Sequence, residues 1–227
     1  MAELKLVIFD VDGTLVDSQD DIVAAMTTTF TAIGQPVPSR AEILGIVGLS
    51  LPAAFQKLAP ALYGAHGDTL VEGYKTSFRT SRKLRKSTDS SPLYPGALDA
   101  IKRLHAQDNV LLGIATGKSR RGLDHLLDAH KLRHFFVTTQ VADDHPSKPH
   151  PSMLERCMYD AGVEAAHTVM IGDTSYDMDM ANNAKIASVG VCWGYHTAEV
   201  LQPRANLLID DYADLDAALN KIWRASL

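Results

Sequence analysis

Leu6-Val7-Ile8-Phe9-Asp10-Val11-Asp12-Gly13-Thr14-Leu15 is the stretch that decides how this chain is built. An apolar run ending in an acid reads as a strand buried on both faces, and Gly13 supplies the sharp turn after it. Residues two apart in extended backbone project the same way, so Asp10 and Asp12 leave the strand end on one side. Carboxylates that close repel unless a cation or a proton separates them. The strand end therefore calls for a metal, a shared proton, or both.

From residue 94 onward, strand-like and helix-like segments alternate. Asn109–Ala115, Phe135–Thr138, Thr168–Ile171 and Ala187–Val191 read as strands, with a weaker one at Asn206–Ile209. Leu123, Leu126 and Leu127 follow a helical i, i+3, i+4 pattern, as do Leu154, Cys157 and Met158 behind Pro151. Such alternation predicts an α/β fold, a doubly wound (Rossmann-like) mostly parallel sheet, with ligands outside the carboxyl ends of its strands. Asp10 stands at such an end.

Residues 17–91 break the alternation. Ser18 reads as an N-cap with Asp20 and Asp21 in the first turn; Ile22, Met26, Phe30 and Ile33 mark one helical face, and Gly34 stops it. A second helix is expected to carry Leu51, Phe55, Leu58 and Leu62, and a third Val71, Tyr74 and Phe78. The expected division is an α/β core of residues 1–16 and 92–227 with an inserted all-helical cap at 17–91. Val16-Asp17 leads out and Ser87–Pro92 leads back.

The 227 residues are 46% hydrophobic, enough for a sizeable core, and the net charge of −5 argues against nucleic acid as a partner. Met1 to Lys5 run straight into the first strand, so no signal peptide is expected. No apolar run approaches the roughly 20 residues of a membrane helix. Cys157 and Cys192 are too few for a disulfide framework and read as packed free thiols. The expected compartment is a reducing cytoplasm.

Three further segments sit at predicted strand ends. Thr116-Gly117-Lys118 opens a helix at Ser119, where a hydroxyl and backbone N–H groups suit an anion such as phosphate. Lys148 lies between Pro146, Pro149 and Pro151, a cation on a stiff loop. Gly172-Asp173-Thr174-Ser175-Tyr176-Asp177 brings two more carboxylates. Carboxylates, a hydroxyl, a lysine and a helix start suit Mg²⁺ and a phosphoryl group, because Mg²⁺ takes oxygen ligands and phosphoryl transfer needs positioning and charge neutralisation.

These four segments, in this order and over essentially the whole chain, resemble the motifs of the haloacid dehalogenase-like hydrolases. Leu93-Tyr94-Pro95-Gly96 and Val141-Ala142-Asp143-Asp144 look like the phosphoglycolate phosphatase-type branch, which places a helical cap between motifs one and two. The resemblance implies that Asp10 is the nucleophile and Asp12 the general acid–base. It implies that Thr116 and Gly117 hold the phosphoryl group and that Lys148 offsets charge. Asp10, the Asp12 main-chain carbonyl and Asp173 would hold Mg²⁺. Asp177 is either a metal-water contact or a brace for Lys148.

The expected activity is hydrolysis of a small phosphorylated metabolite, phosphoglycolate first, by a monomer or homodimer that binds neither nucleic acid nor membrane. A phosphosugar mutase on the same core, and a phosphoacceptor signalling module, are the alternatives. Asp12 argues against the signalling module, because it would hasten loss of an aspartyl-phosphate. His130 and His134 have metal-pair spacing but flank a helix end; His150 reads as loop surface. The basic run Lys75 to Lys86 reads as a solvated face, and Gly45–Ser50 as a cap loop able to reach the site.

Overall fold

The computed structural model describes residues 3–84 and 91–225, leaving aside the side chains of 81–84. Lys5–Phe9 forms β1, whose apolar run is buried on both faces. Leu6 and Ile8 enter one hydrophobic cluster, and Val7 and Phe9 enter the other on the opposite face. Around β1 lie β2 (Val110–Thr116), β3 (Thr138–Val141), β4 (Thr168–Gly172), β5 (Ala187–Val191) and β6 (Leu207–Ile209), in the order β3-β2-β1-β4-β5-β6. Every pairing is parallel, which confirms the doubly wound α/β reading. The strand order reverses beside β1, between it and β4, where such sheets place their ligands. Phe9 pairs with Ile171, so Asp10 and Asp173 emerge from adjacent strand ends.

Two readings of the connecting segments are corrected. Phe135 and Phe136 do not start a strand: Arg133–Phe135 is a turn of 3₁₀ helix, and both rings plug the core below β3. Aromatic and β-branched content marked this segment as strand, but the rings serve as a plug and the ladder begins at Thr138. Leu62 does not share a helix with Leu51, since α3 (Leu51–Leu58) ends at Ala59 and α4 (Pro60–Leu84) starts anew. Pro60 lacks the N–H that a continuing helix needs. A short helix, α2 (Arg40–Leu44), enters through a capping box between Ser39 and Glu42.

Between β1 and β2, α1 (Gln19–Ala32), α2, α3 and α4 gather a cluster of their own around Met26, Phe30, Ile43, Phe55 and Leu70. The rings of Phe30 and Phe55 lie 6.2 Å apart, and Phe55 meets Tyr74 edge-on at 6.3 Å. The chain enters and leaves this bundle through a paired ribbon. Asp17 N donates to Pro92 O at 2.9 Å, Tyr94 N donates to Leu15 O at 2.9 Å, and Val16 bridges Leu93 antiparallel. Residues 87–90 of the expected return linker lie outside the described residues. In the rest of the core, α5 (Ala97–His105) buries Ala97, Ala100, Ile101 and Leu104 on one stripe. It is followed by α6 (Arg120–Ala129), α7 (Ser152–Ala161), α8 (Ser175–Asn183), α9 (Ala198–Leu201) and α10 (Leu215–Ala225).

If the helical bundle is a cap with its own core, Phe55→Ala should cost about 3–5 kcal/mol there. Hydrogen exchange should show protection falling across residues 19–80 while β1 and β4 keep theirs. An equal loss in both regions would refute the division.

Candidate active site

Asp10, Asp173 and Asp177 each place a carboxylate oxygen within 4.8 Å of the others, and all three are buried. Lys148 joins them from the loop after β3, its Nζ lying 2.8 Å from Asp10 Oδ1 and 2.6 Å from Asp177 Oδ1. Burial pushes Asp10 up to about 7, with Lys148 pulling against it and Asp177 adding to it. Burial likewise holds Asp173 well above the usual carboxylate range, reinforced by Asp177 and then Asp10. For Lys148, burial opposes the charge, but the carboxylates of Asp10 and Asp177 win and hold its ammonium above the usual range.

Local structure explains why the carboxylates converge. Asp10 N still belongs to the sheet, donating to Ile171 O at 2.9 Å. Gly13 has φ 85°, and a Cβ on it would stand 2.1 Å from Asp173 Oδ2, so only glycine lets the first loop reach the fourth strand. Asp177 sits in the first turn of α8, where its Oδ2 accepts from Thr174 N at 3.1 Å in a capping box. Its other oxygen holds Lys148, so of its two readings the brace is the one the geometry supports. Asp173 accepts from Thr14 Oγ1 at 2.9 Å and from Tyr195 N at 2.9 Å. The Thr14 carbonyl accepts in turn from Trp193 Nε1 (3.2 Å) and Tyr212 Oη (2.8 Å).

The donor set fits a hard divalent cation. Lys148 is shared with Asp177, so ionising both Asp10 and Asp173 would leave negative charge that no side chain of the cluster offsets. Neither Asp10 oxygen accepts a well-aligned hydrogen bond, even with Lys148 close by. A buried carboxylate without donors is costly, and an oxygen-seeking dication removes that cost.

Asp12 is held differently from Asp10. Lys118 Nζ contacts both of its oxygens, at 2.6 and 2.7 Å. Ser18 Oγ donates to Asp12 Oδ1 and also meets Tyr195 Oη at 3.0 Å. This corrects the reading of Ser18 as a helix cap: its φ and ψ are −115° and 13°, and its side chain makes no capping bond. The competing partner, Asp12, is a buried carboxylate, and it outweighs a backbone N–H.

Thr116, buried at the end of β2, and Gly117 line the same cavity as Asp10, Asp12 and Lys118. Lys118 N donates to Thr116 Oγ1 at 3.3 Å, and Ser119 caps α6 by accepting from Gly122 N. A Cβ on Gly117 would lie 2.5 Å from Gly48 O, so the loop Gly45–Ser50 does reach the site, pressing on the Thr116-Gly117 loop. Ser50 N donates to Ser147 Oγ at 2.9 Å, and Tyr176 Oη donates to Gly45 O at 2.7 Å.

Sequence reasoning passed over Lys118, Ser18, Thr14 and Tyr195. Lys118 had a signal, standing directly after Gly117 at a strand end that already held the phosphate motif. Tyr195, Trp193 and Tyr212 had none, because only the fold brings them to Thr14 and Asp173. The three histidines stay outside the site. His130 Nε2 pairs with Ser91 O, His134 packs on Phe135, and His150 is exposed. Lys75 and Arg79 of the basic run, read as a solvated face, line the cavity above Asp10; Lys75 pairs with Glu72, and Arg79 donates to Lys75 O and Thr76. The side chains of Arg82 and Lys83, and Arg85 and Lys86 altogether, lie outside the described residues. Burial raises the thiols of Cys157 and Cys192 to about 12 and about 11, the behaviour of unreactive cysteines. Among the described residues, no helix is long and apolar enough to cross a membrane.

The sequence profile described as haloacid dehalogenase-like hydrolase matches residues 7–191. The chain is 34% identical to "Probable phosphatase IndB" of Dickeya dadantii, over 97% of this chain and 96% of that one. It is 30% identical to the phosphoglycolate phosphatase of Vibrio cholerae, over 94% of each. A crystal structure described as a predicted phosphoglycolate phosphatase from Haemophilus somnus superposes with a TM-score of 0.81 at 25% identity, covering 96% of this chain and 99% of that one.

Asp10 carries a pH dependence whose sign is set by its raised value. In metal-free protein the fold favours its protonated form. The resulting stability is full below the unfolded carboxyl range, about 3.9, and is lost as pH rises through about 7. With metal chelated, the melting temperature of the wild type should fall relative to Asp10→Asn between those limits and run parallel above them. Parallel profiles throughout would refute this reading of Asp10.

Proposed function

The chain belongs to the haloacid dehalogenase-like hydrolase family and is a phosphatase, and on that premise we propose that it hydrolyses a small-molecule phosphate monoester through an aspartyl-phosphate, with Mg²⁺ as its cofactor. The observation that carries the reading is Asp10: a buried carboxylate facing the cavity, with neither oxygen in a well-aligned hydrogen bond and Lys148 beside it. Such a group is poised to attack rather than to brace.

In the proposed course, an Asp10 oxygen attacks phosphorus in line, the ester P–O bond breaks, and the departing alkoxide takes a proton from Asp12. Asp12 then takes a proton from a water whose oxygen attacks the phosphoryl group on Asp10. That step returns the carboxylate and releases inorganic phosphate. The Thr116 hydroxyl and Gly117 N–H cradle the transferring group, and the Lys148 ammonium offsets its charge and that of Asp10. Lys118 leaves Asp12 before Asp12 carries its proton. The Asp10 carboxylate, the Asp12 main-chain carbonyl and Asp173 would hold Mg²⁺, which supplies charge to offset the phosphoryl oxygens. The relatives named as phosphoglycolate phosphatases make phosphoglycolate the reference substrate for assay.

Asp10→Asn should lower Mg²⁺-dependent phosphate release by at least about 1,000-fold, since an amide cannot take the phosphoryl group. Residual activity within tenfold of wild type would overturn the nucleophile assignment. Asp12→Asn should slow turnover by about 100- to 10,000-fold and let phosphoenzyme accumulate from an ester with a good leaving group. Rapid-quench trapping reads this directly, and an Asp12→Asn protein with wild-type turnover would remove Asp12 from the chemistry.

A further inference from the structure

The cavity above Asp10 has a volume of about 1160 Å³. Phosphoglycolate displaces on the order of five waters, roughly 150 Å³. Pockets that enclose ligands of drug size run to about 300–1,000 Å³. A two-carbon acid would leave most of this space filled with water.

The lining mixes charged side chains, among them Lys75, Arg79, Arg121 and Asp124, with an apolar strip that begins near Asp12. Lys118 Nζ lies 2.6 Å from Asp12 and 5.6 Å from the centre of the Phe78 ring. The group proposed to protonate the leaving oxygen therefore sits next to the start of an apolar wall. Phe78 stacks on Tyr74 at 5.7 Å, and the wall continues through Met26, Ile46, Val47 and Ala54. These residues belong to the hydrophobic cluster of the helical bundle, so the wall is backed by packed side chains.

We infer that the preferred substrate is a phosphate monoester of a bulky alcohol whose apolar or aromatic body lies against Phe78 and Tyr74, and that phosphoglycolate is too small to use this wall. The inference rests on the phosphatase reading above and specifies its substrate class. Each methylene equivalent moved from water to such a wall is worth about fourfold in kcat/KM, so four of them give more than 100-fold.

The test holds the leaving-group chemistry constant. Phosphate release in Mg²⁺ is compared for ethyl, hexyl, 2-phenylethyl and 2-(2-naphthyl)ethyl phosphates, all esters of primary alcohols, and for phosphoglycolate. The expected result is a rise in kcat/KM of at least 100-fold from ethyl phosphate and phosphoglycolate to the naphthylethyl ester. In Phe78→Ala, which removes a partly buried ring of the wall, the ratio of naphthylethyl to ethyl turnover should fall at least tenfold. Phosphoglycolate matching or exceeding the bulky esters overturns the inference and leaves the phosphatase reading standing. Binding of the matched non-hydrolysable phosphonates separates the reverse failure. Tighter binding of the naphthylethyl phosphonate than of the ethyl one, without turnover of any ester, sinks the phosphatase reading and supports the cavity's preference. Equal binding of the two overturns the inference.

Discussion

Three buried carboxylates sharing one ammonium is the constraint around which this molecule is arranged. Asp10, Asp173 and Asp177 converge at the point where the strand order reverses, and among the described residues Lys148 alone brings positive charge into contact with them. Burial makes that imbalance expensive, which is why Asp10 and Asp173 hold their protons far more tightly than free acids do. A dication and a phosphoryl group relieve the same imbalance by different means, one with charge and the other by covalent capture of Asp10. The site is thus unstable toward its own ligands, a property useful in a catalyst and tolerable only because the surrounding core is well packed.

That packing is specific. Asp173 is held by Thr14 and by the Tyr195 amide, while Thr14 is itself held by Trp193 and Tyr212, from nearly the other end of the chain. Close approach is secured by the absence of side chains: a Cβ on Gly13 would collide with Asp173, and one on Gly117 with the Gly48 carbonyl. The two contacts differ in consequence. The first brings two strand ends together within the core, and the second lets the helical bundle touch the loop proposed to cradle the phosphoryl group.

Much of this was legible because the informative residues are local. A buried parallel strand writes itself as an uninterrupted apolar run, and two acids at its end have no comfortable structural purpose, so β1 with Asp10 and Asp12 could be read directly. Asp173, Lys148 and Thr116 followed from strand ends in the same pattern. What escaped was decided by contacts distant in sequence. Ser18 has every local attribute of a cap, yet its hydroxyl is taken by Asp12. Phe135 and Phe136 have the composition of a strand, but the core needed a plug there. Tyr195 and Tyr212 carry no motif, since the groups that meet their side chains, the Ser18 hydroxyl and the Thr14 carbonyl, lie well over a hundred residues away.

The ribbon joining Leu15–Asp17 to Pro92–Tyr94 turns the helical bundle into a lever. Two chains hydrogen-bonded side by side resist twisting, so rocking about the ribbon is the easy motion of the bundle. The ribbon starts immediately after Thr14, whose hydroxyl grips Asp173, and Asp17 leads directly into Ser18, which grips Asp12. Rocking the bundle outward therefore pulls on a proposed metal ligand and on the proposed acid together. Opening the cavity and slackening the chemistry are one mechanical event, and a half-open enzyme would be an inactive one.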